Sequence, residues 1–364
     1  MADTFVKGNN RDIGVDITRI VAFVSVPGIH FFLNSGYYDM PVIGKTMYGM
    51  TVIRTYFMTC VPLFMILTGY LYANKTIDIT KESLLKFYKK VSKVVSTYLV
   101  ATLLLLLMMK LVLNRPIGGI KGLISNLLSY AQYSWYVNMY IGMFLLIPFL
   151  NSAWNMARDK SARRVILLVM LCTTTLPTLV NGTHTLPIGQ IVPNYWVGLY
   201  PLTYYYIGGY IKKDVDIKHK STIKILTLLT ISVVIFGMHN IWISKGQPLV
   251  WGEWNNWQGY QNVIDSTLVF LFINSINFKN NHSTINKCVS KIANLTFGAY
   301  ILSHFGDLYI YPYLNETVTE VTHRIYFFPL TVGFTVISSL ILSEIVEVVI
   351  TVIKDIKNRF ISMR

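Results

Sequence analysis

The sequence is poor in charge. Asp, Glu, Lys and Arg together make up 13% of its 364 residues, about half of the roughly 25% found in soluble globular domains. A soluble enzyme of this length would need far more charge to cover its core, and a disordered chain would need a more polar composition. Acid is scarcer than base, with 17 Asp and Glu against 32 Lys and Arg. Cysteine is scarce as well: Cys60, Cys172 and Cys288 stand far apart with no CxxC spacing. That excludes a disulfide scaffold and leaves no metal-ligand pattern, so no metal is expected. Internal repeats and low-complexity segments are absent, and residues 1–364 are expected to form one integral-membrane domain. Met1 to Arg11 is polar, so no cleavable signal peptide is expected, and the first apolar segment has to act as its own insertion signal.

What the chain does have is apolar length. Hydrophobic residues make up 53% of it, and its mean hydropathy is +0.48. Ten apolar segments run over 13–35, 50–73, 93–113, 135–154, 165–180, 194–211, 222–243, 260–277, 292–314 and 325–353. Most approach the ~20 residues that a helix needs to cross the hydrocarbon core. Runs such as Ala101–Met109 do not alternate, as a β-barrel strand would. The expected fold is all-α: a polytopic transmembrane bundle of about ten spans, in the bacterial plasma membrane. Lys and Arg fall unevenly in the loops, 22 on one side and 5 on the other. By the positive-inside rule both termini are cytoplasmic. The net charge of +15 is explained by that bias, and no nucleic-acid partner is expected.

Charged groups inside spans cost about 2.5–3.5 kcal/mol each on insertion scales, so each needs a reason to be there. In the first span Asp16 and Arg19 are three residues apart and can pair on one face. His30 lies eleven residues beyond Arg19, about 16 Å along the axis and close to three whole turns, so it shares that face. A structural ion pair with a hydrogen-bonded core histidine is one reading; a functional stripe is the other. The second span carries Arg54, and Pro62 should kink it. Lys86, Lys89, Lys90 and Lys93 are spaced to form one cationic face at the cytoplasmic boundary, suited to anionic lipid head groups or to another polyanion. In the ninth span Tyr300 and His304 are one turn apart. His304 suits either a helix–helix hydrogen bond or proton transfer. Trp251, Trp254 and Trp257 recur every three residues in an outer loop, as an interfacial belt or as a stacking platform for sugar rings.

Taken in order, these motifs resemble the membrane-bound O-acyltransferases of acyltransferase family 3, a group that includes intercellular adhesion protein C-like proteins and modifies surface polysaccharides and lipids. The resemblance rests on an Arg before Asp16-x-x-Arg19 and then His30; on Val61-Pro-Leu-Phe64 through Thr68-Gly69-Tyr70; on Lys90-x-x-Lys93; on Ser134-Trp135-Tyr136 with Pro148; and on Leu295 through Tyr300 to His304. Thr68 stands where the family usually has Ser, Lys90 and Lys93 where it has Arg, and Ser96 where it often has Pro.

The resemblance implies an acetyl-CoA or other acyl-CoA donor. Its phosphates suit Lys86, Lys89, Lys90 and Lys93 together with Arg11 and Arg19. With such a donor, His30 is expected to act as general base on the acceptor hydroxyl or to relay the acyl group covalently, with His304 as a further catalytic candidate; Asp16 is expected to hold Arg19, and Arg54 or Tyr300 to stabilise the oxyanion. The acceptor is expected to be a hydroxyl of a lipid-linked or nascent polysaccharide stacked on Trp251, Trp254 and Trp257. Membrane lipids are partners, and a homodimer is compatible with the sequence. The rival expectation is a polysaccharide exporter that needs no acyl donor.

Overall fold

A computed structural model describes residues 11–128, 134–181, 192–278 and 284–362. The polar stretch before Arg11 lies outside them. Among the described residues there is no strand, and a lone bridge pairs Pro41 with Pro248.

The first span is α1 (Ile13–Asn34), begun by Asp12, whose side chain accepts from Gly14 N. This satisfies one of the orphan donors of the first turn. The second segment is divided into α2 (Gly44–Phe57) and α3 (Cys60–Tyr72). Pro62 has no N–H to give the Met58 carbonyl four residues earlier, and the break falls at residues 58–59. The kink expected from Pro62 is therefore an interruption one turn before it.

Next come α4 (Lys81–Tyr88), α5 (Val91–Leu111), α6 (Gly119–Leu128), α7 (Trp135–Met156) and α8 (Lys160–Met170). A π-turn over Leu171–Thr175 joins α8 to α9 (Leu176–Val180). The chain continues through α10 (Tyr200–Asp214), α11 (Thr222–Ser244) and α12 (Tyr260–Ser275). It closes with α13 (Thr284–Thr317) and α14 (Phe328–Ser362).

All ten apolar segments are thus helical. Seven helical stretches are long and apolar enough to cross a membrane: 13–34, 44–72, 81–111, 135–156, 160–180, 222–244 and 321–356. α10 and α12 are shorter, and α13 is long but too polar by the same measure. The polarity of α13 is tolerated because α1, α5 and α14 pack around it; polar side chains in a span normally face the bundle interior. The outer faces are apolar instead. Ile223, Leu226, Ile231, Ile235 and Met238 of α11 are all exposed, as a lipid-facing helix requires. The molecule is a multi-pass membrane protein.

Small residues set the closest contacts. A Cβ on Gly69 would stand 1.8 Å from the Tyr205 carbonyl oxygen, and one on Gly208 would stand 2.0 Å from that of Ile66. The backbones of α3 and α10 therefore touch, the usual role of small residues between membrane helices.

Candidate active site

The seam between α1 and α13 gathers the chemistry. At the N-terminal end of α1, Asp16 is 1% exposed. Its Oδ1 accepts from Arg19 Nη1 at 3.2 Å and from Arg11 Nη2 at 3.0 Å, and its Oδ2 accepts from Ser290 Oγ at 2.9 Å. The Asp16–Arg19 pair expected from the sequence is present. Arg11 also donates to the Ser290 carbonyl at 3.2 Å and to Asn294 Oδ1 at 2.9 Å. Its guanidinium is committed to closing the seam, and it does not line the lysine-rich cleft with which it was grouped as a donor-binding residue.

Further along the seam, His30 Nδ1 lies 2.8 Å from Asp307 Oδ2, with side-chain exposures of 18% and 4%. If Nδ1 donates to the carboxylate, the imidazole is fixed as the tautomer with its lone pair on Nε2. His304 lies one turn before Asp307 on α13, on the same helix face. Tyr300 lies a further turn back, buried, with its ring 5.9 Å from that of Tyr136. His30, His304, Asp307 and Tyr300 thus lie along one short stretch of the seam.

Asp307 escaped the sequence reading, although it is the one acidic residue in the 292–314 segment. That single intramembrane carboxylate was the available signal. What linear spacing could not supply was its partner, 277 residues away in the chain.

Lys86, Lys89, Lys90 and Lys93 come together although the helix breaks between α4 and α5. They line a cleft of about 750 Å³ with Ser92, Ser96 and Val100. Its far wall is Ile350, Ile353 and Lys354 from the last turns of α14, which the sequence did not connect to the lysines. The cleft combines lysines with the apolar side chains of Leu99, Val100, Ile350 and Ile353 in its lining. It lies at the end of the bundle where α1 and α13 begin, since α13 and α14 run antiparallel along the same seam.

The outer aromatic residues do not form one platform. Trp254 is 4% exposed and donates through Nε1 to Asn240 Oδ1 at 3.2 Å. It is a wedge that holds the loop onto α11, with no face for a sugar. Trp257 is half-buried and packs on Trp135, ring centroids 4.5 Å apart. Trp251 alone is well exposed, at 47%. Its ring lies 4.3 Å from Arg54 Cζ, and its centroid is 5.1 Å from that of Tyr38. The loop folds inward because Asn240 beneath it donates to Gln261 Oε1 at 3.1 Å and accepts from Asn255 Nδ2 at 3.3 Å. Arg54 donates from Nε to Tyr38 Oη at 3.0 Å. It is directed toward this outer loop, and no hydrogen bond joins it to His30 or Asp307 among the described contacts.

Among the described residues, no group of three or more His, Cys, Asp and Glu side chains is arranged to hold a metal ion. A family model described as an acyltransferase domain matches residues 12–344. No curated protein and no solved structure matches the chain.

Proposed function

From the premise that this chain belongs to the acyltransferase-domain family and is a multi-pass membrane acyltransferase, we propose that it moves an acetyl or other acyl group from cytosolic acyl-CoA to a hydroxyl of a lipid-linked or cell-surface polysaccharide, in a bacterial plasma membrane. The observation that carries this reading is the His30–Asp307 pair at 2.8 Å, held between α1 and α13 with Asp307 buried and His30 partly exposed. An imidazole oriented by a carboxylate is the arrangement that general-base acyl transfer needs.

The phosphates of CoA bind at the cleft of Lys86, Lys89, Lys90 and Lys93, and the pantetheine arm carries the thioester between the helices toward His30. Lysines serve as point charges here, without the bidentate grip of arginine. His30 Nε2 removes the proton of the acceptor hydroxyl as the oxygen attacks the thioester carbonyl. Asp307 stabilises the imidazolium that forms. Tyr300 donates to the oxygen of the tetrahedral intermediate. The carbon–sulfur bond then breaks, the ester remains on the sugar, and the departing CoA thiolate takes the proton back from His30. Asp16 holds Arg19 and keeps the entrance to the seam in shape. Enclosure among helices keeps water from the thioester.

The test is His30→Ala in purified protein and in cells. The variant is expected to fold, to bind CoA, and to leave the surface polysaccharide without O-acyl groups by proton NMR. Normal acyl content would sink the assignment. An exporter would move polysaccharide without consuming acyl-CoA in liposomes.

A further inference from the structure

Arg54 is the most deeply buried arginine described, at 0% exposure, and it is the least compensated. Its Nε has Tyr38 Oη, but among the described residues Nη1 and Nη2 are buried with no hydrogen-bond partner and no carboxylate forms an ion pair with it. The other buried arginines are treated differently. Arg19 has Asp16. Arg163 has Asp214, at 2.7 and 2.6 Å, and the Ala157 carbonyl. Arg324 donates to the carbonyls of Val318, Ser35, Asn315 and Thr319.

The acids on the segments that carry Tyr38 and Trp251 form no ion pair with Arg54. Asp39 is exposed, and Glu253 receives Asn194 Nδ2 on Oε1 at 3.5 Å while its Oε2 is buried without a hydrogen-bond partner. An arginine cannot escape the cost of burial by losing its proton. The indole of Trp251 against one face of the guanidinium offsets part of that cost, but it gives the two Nη groups nothing to donate to.

The position is also informative. Tyr38 follows the C-terminal end of α1, and Trp251 sits on a strap held by Val42 N to the Gln247 carbonyl at 3.0 Å. This is the end of the bundle opposite the lysine cleft. The ring of Trp251 is half-exposed, and Arg54 lies directly beneath it.

We propose that Arg54, roofed by Trp251 and edged by Tyr38, is a binding subsite for an oxyanion on the acceptor glycan: a carboxylate or phosphate beside a sugar ring that stacks on Trp251. A planar guanidinium with two unengaged Nη groups matches two oxygens of one carboxylate or phosphate. The anion enters where the Trp251 indole now lies, and the indole moves to the sugar face. The subsite deepens the acyl-transfer reading, since it names the acceptor as acidic. It takes Arg54 out of the oxyanion-stabilising role expected from the sequence and makes it a substrate-binding residue.

The test is calorimetry on the purified full chain in detergent, with three probes: a glucuronate-containing disaccharide, a short polyisoprenyl phosphate and inorganic phosphate. At least one probe is expected to bind wild type ten-fold or more tightly than Arg54→Gln, with partial recovery in Arg54→Lys. Preference for the uronate assigns the anion to the glycan, and preference for the isoprenyl phosphate assigns it to the lipid carrier. Arg54→Met should keep or raise the melting temperature, whereas Arg324→Met should lower it. Affinities within two-fold between wild type and Arg54→Gln for all three probes would overturn the subsite. So would an Arg54→Met melting temperature that falls as far as that of Arg324→Met. CoA affinity of Arg54→Gln, read in parallel, should match wild type. Anion binding by wild type without acyl-CoA turnover would sink the transferase reading and leave the subsite standing.

Discussion

At the start of the α1–α13 seam, one buried carboxylate, Asp16, collects Arg11, Arg19 and Ser290. Beneath Trp251, one buried guanidinium has a tyrosine hydroxyl and two aromatic faces. Both regions bury charge in a bundle that has little of it. The first resolves its charge within the fold, so it holds helices together. The second leaves its charge unresolved, so it is built to meet something that the fold does not contain. The His30–Asp307 pair lies between these extremes: it is matched within the protein, yet His30 remains partly exposed.

The contrast predicts opposite responses to mutation. The largest effect is on chemistry. His30→Ala should lower the acyl-transfer rate by about 10²–10⁴-fold, the usual contribution of a positioned general base, measured as acyl-CoA consumed with acceptor present. The next is on stability. Asp16→Ala leaves two cations at one end of the seam, and breaking a buried pair costs about 3–5 kcal/mol. Thermal melting in detergent should show a large fall, against none for Arg54→Met. Equal falls in the two would erase the distinction between the regions. A smaller effect is expected at the cleft, where Lys90→Glu with Lys93→Glu should weaken CoA binding by about ten-fold and reduce its salt dependence. Unchanged affinity would return those lysines to a role at the lipid surface.

Much of the architecture was legible because apolar length and the absence of alternation read directly as helices, and because Pro62 marks the break between α2 and α3. The Asp16–Arg19 pair was legible because three-residue spacing places two side chains on one helix face. The partner of His30 was not, because the approach of α13 to α1 is a tertiary fact. Nor was the burial of Trp254, since the regular spacing of three tryptophans says nothing about the asparagines that draw the loop inward. The lysine cleft was half legible: its cations follow from spacing, but its α14 wall does not.

The central claim is that His30, oriented by Asp307, is the base that moves an acyl group. It is tested most directly by acyl-CoA turnover in liposomes carrying purified wild type, His30→Ala and Asp307→Asn, with CoA binding measured on the same samples. Thiol release dependent on acceptor is predicted for wild type, together with none above background for His30→Ala and a loss of at least ~10²-fold for Asp307→Asn, with CoA affinity retained in all three. Turnover by His30→Ala at the wild-type rate would contradict it.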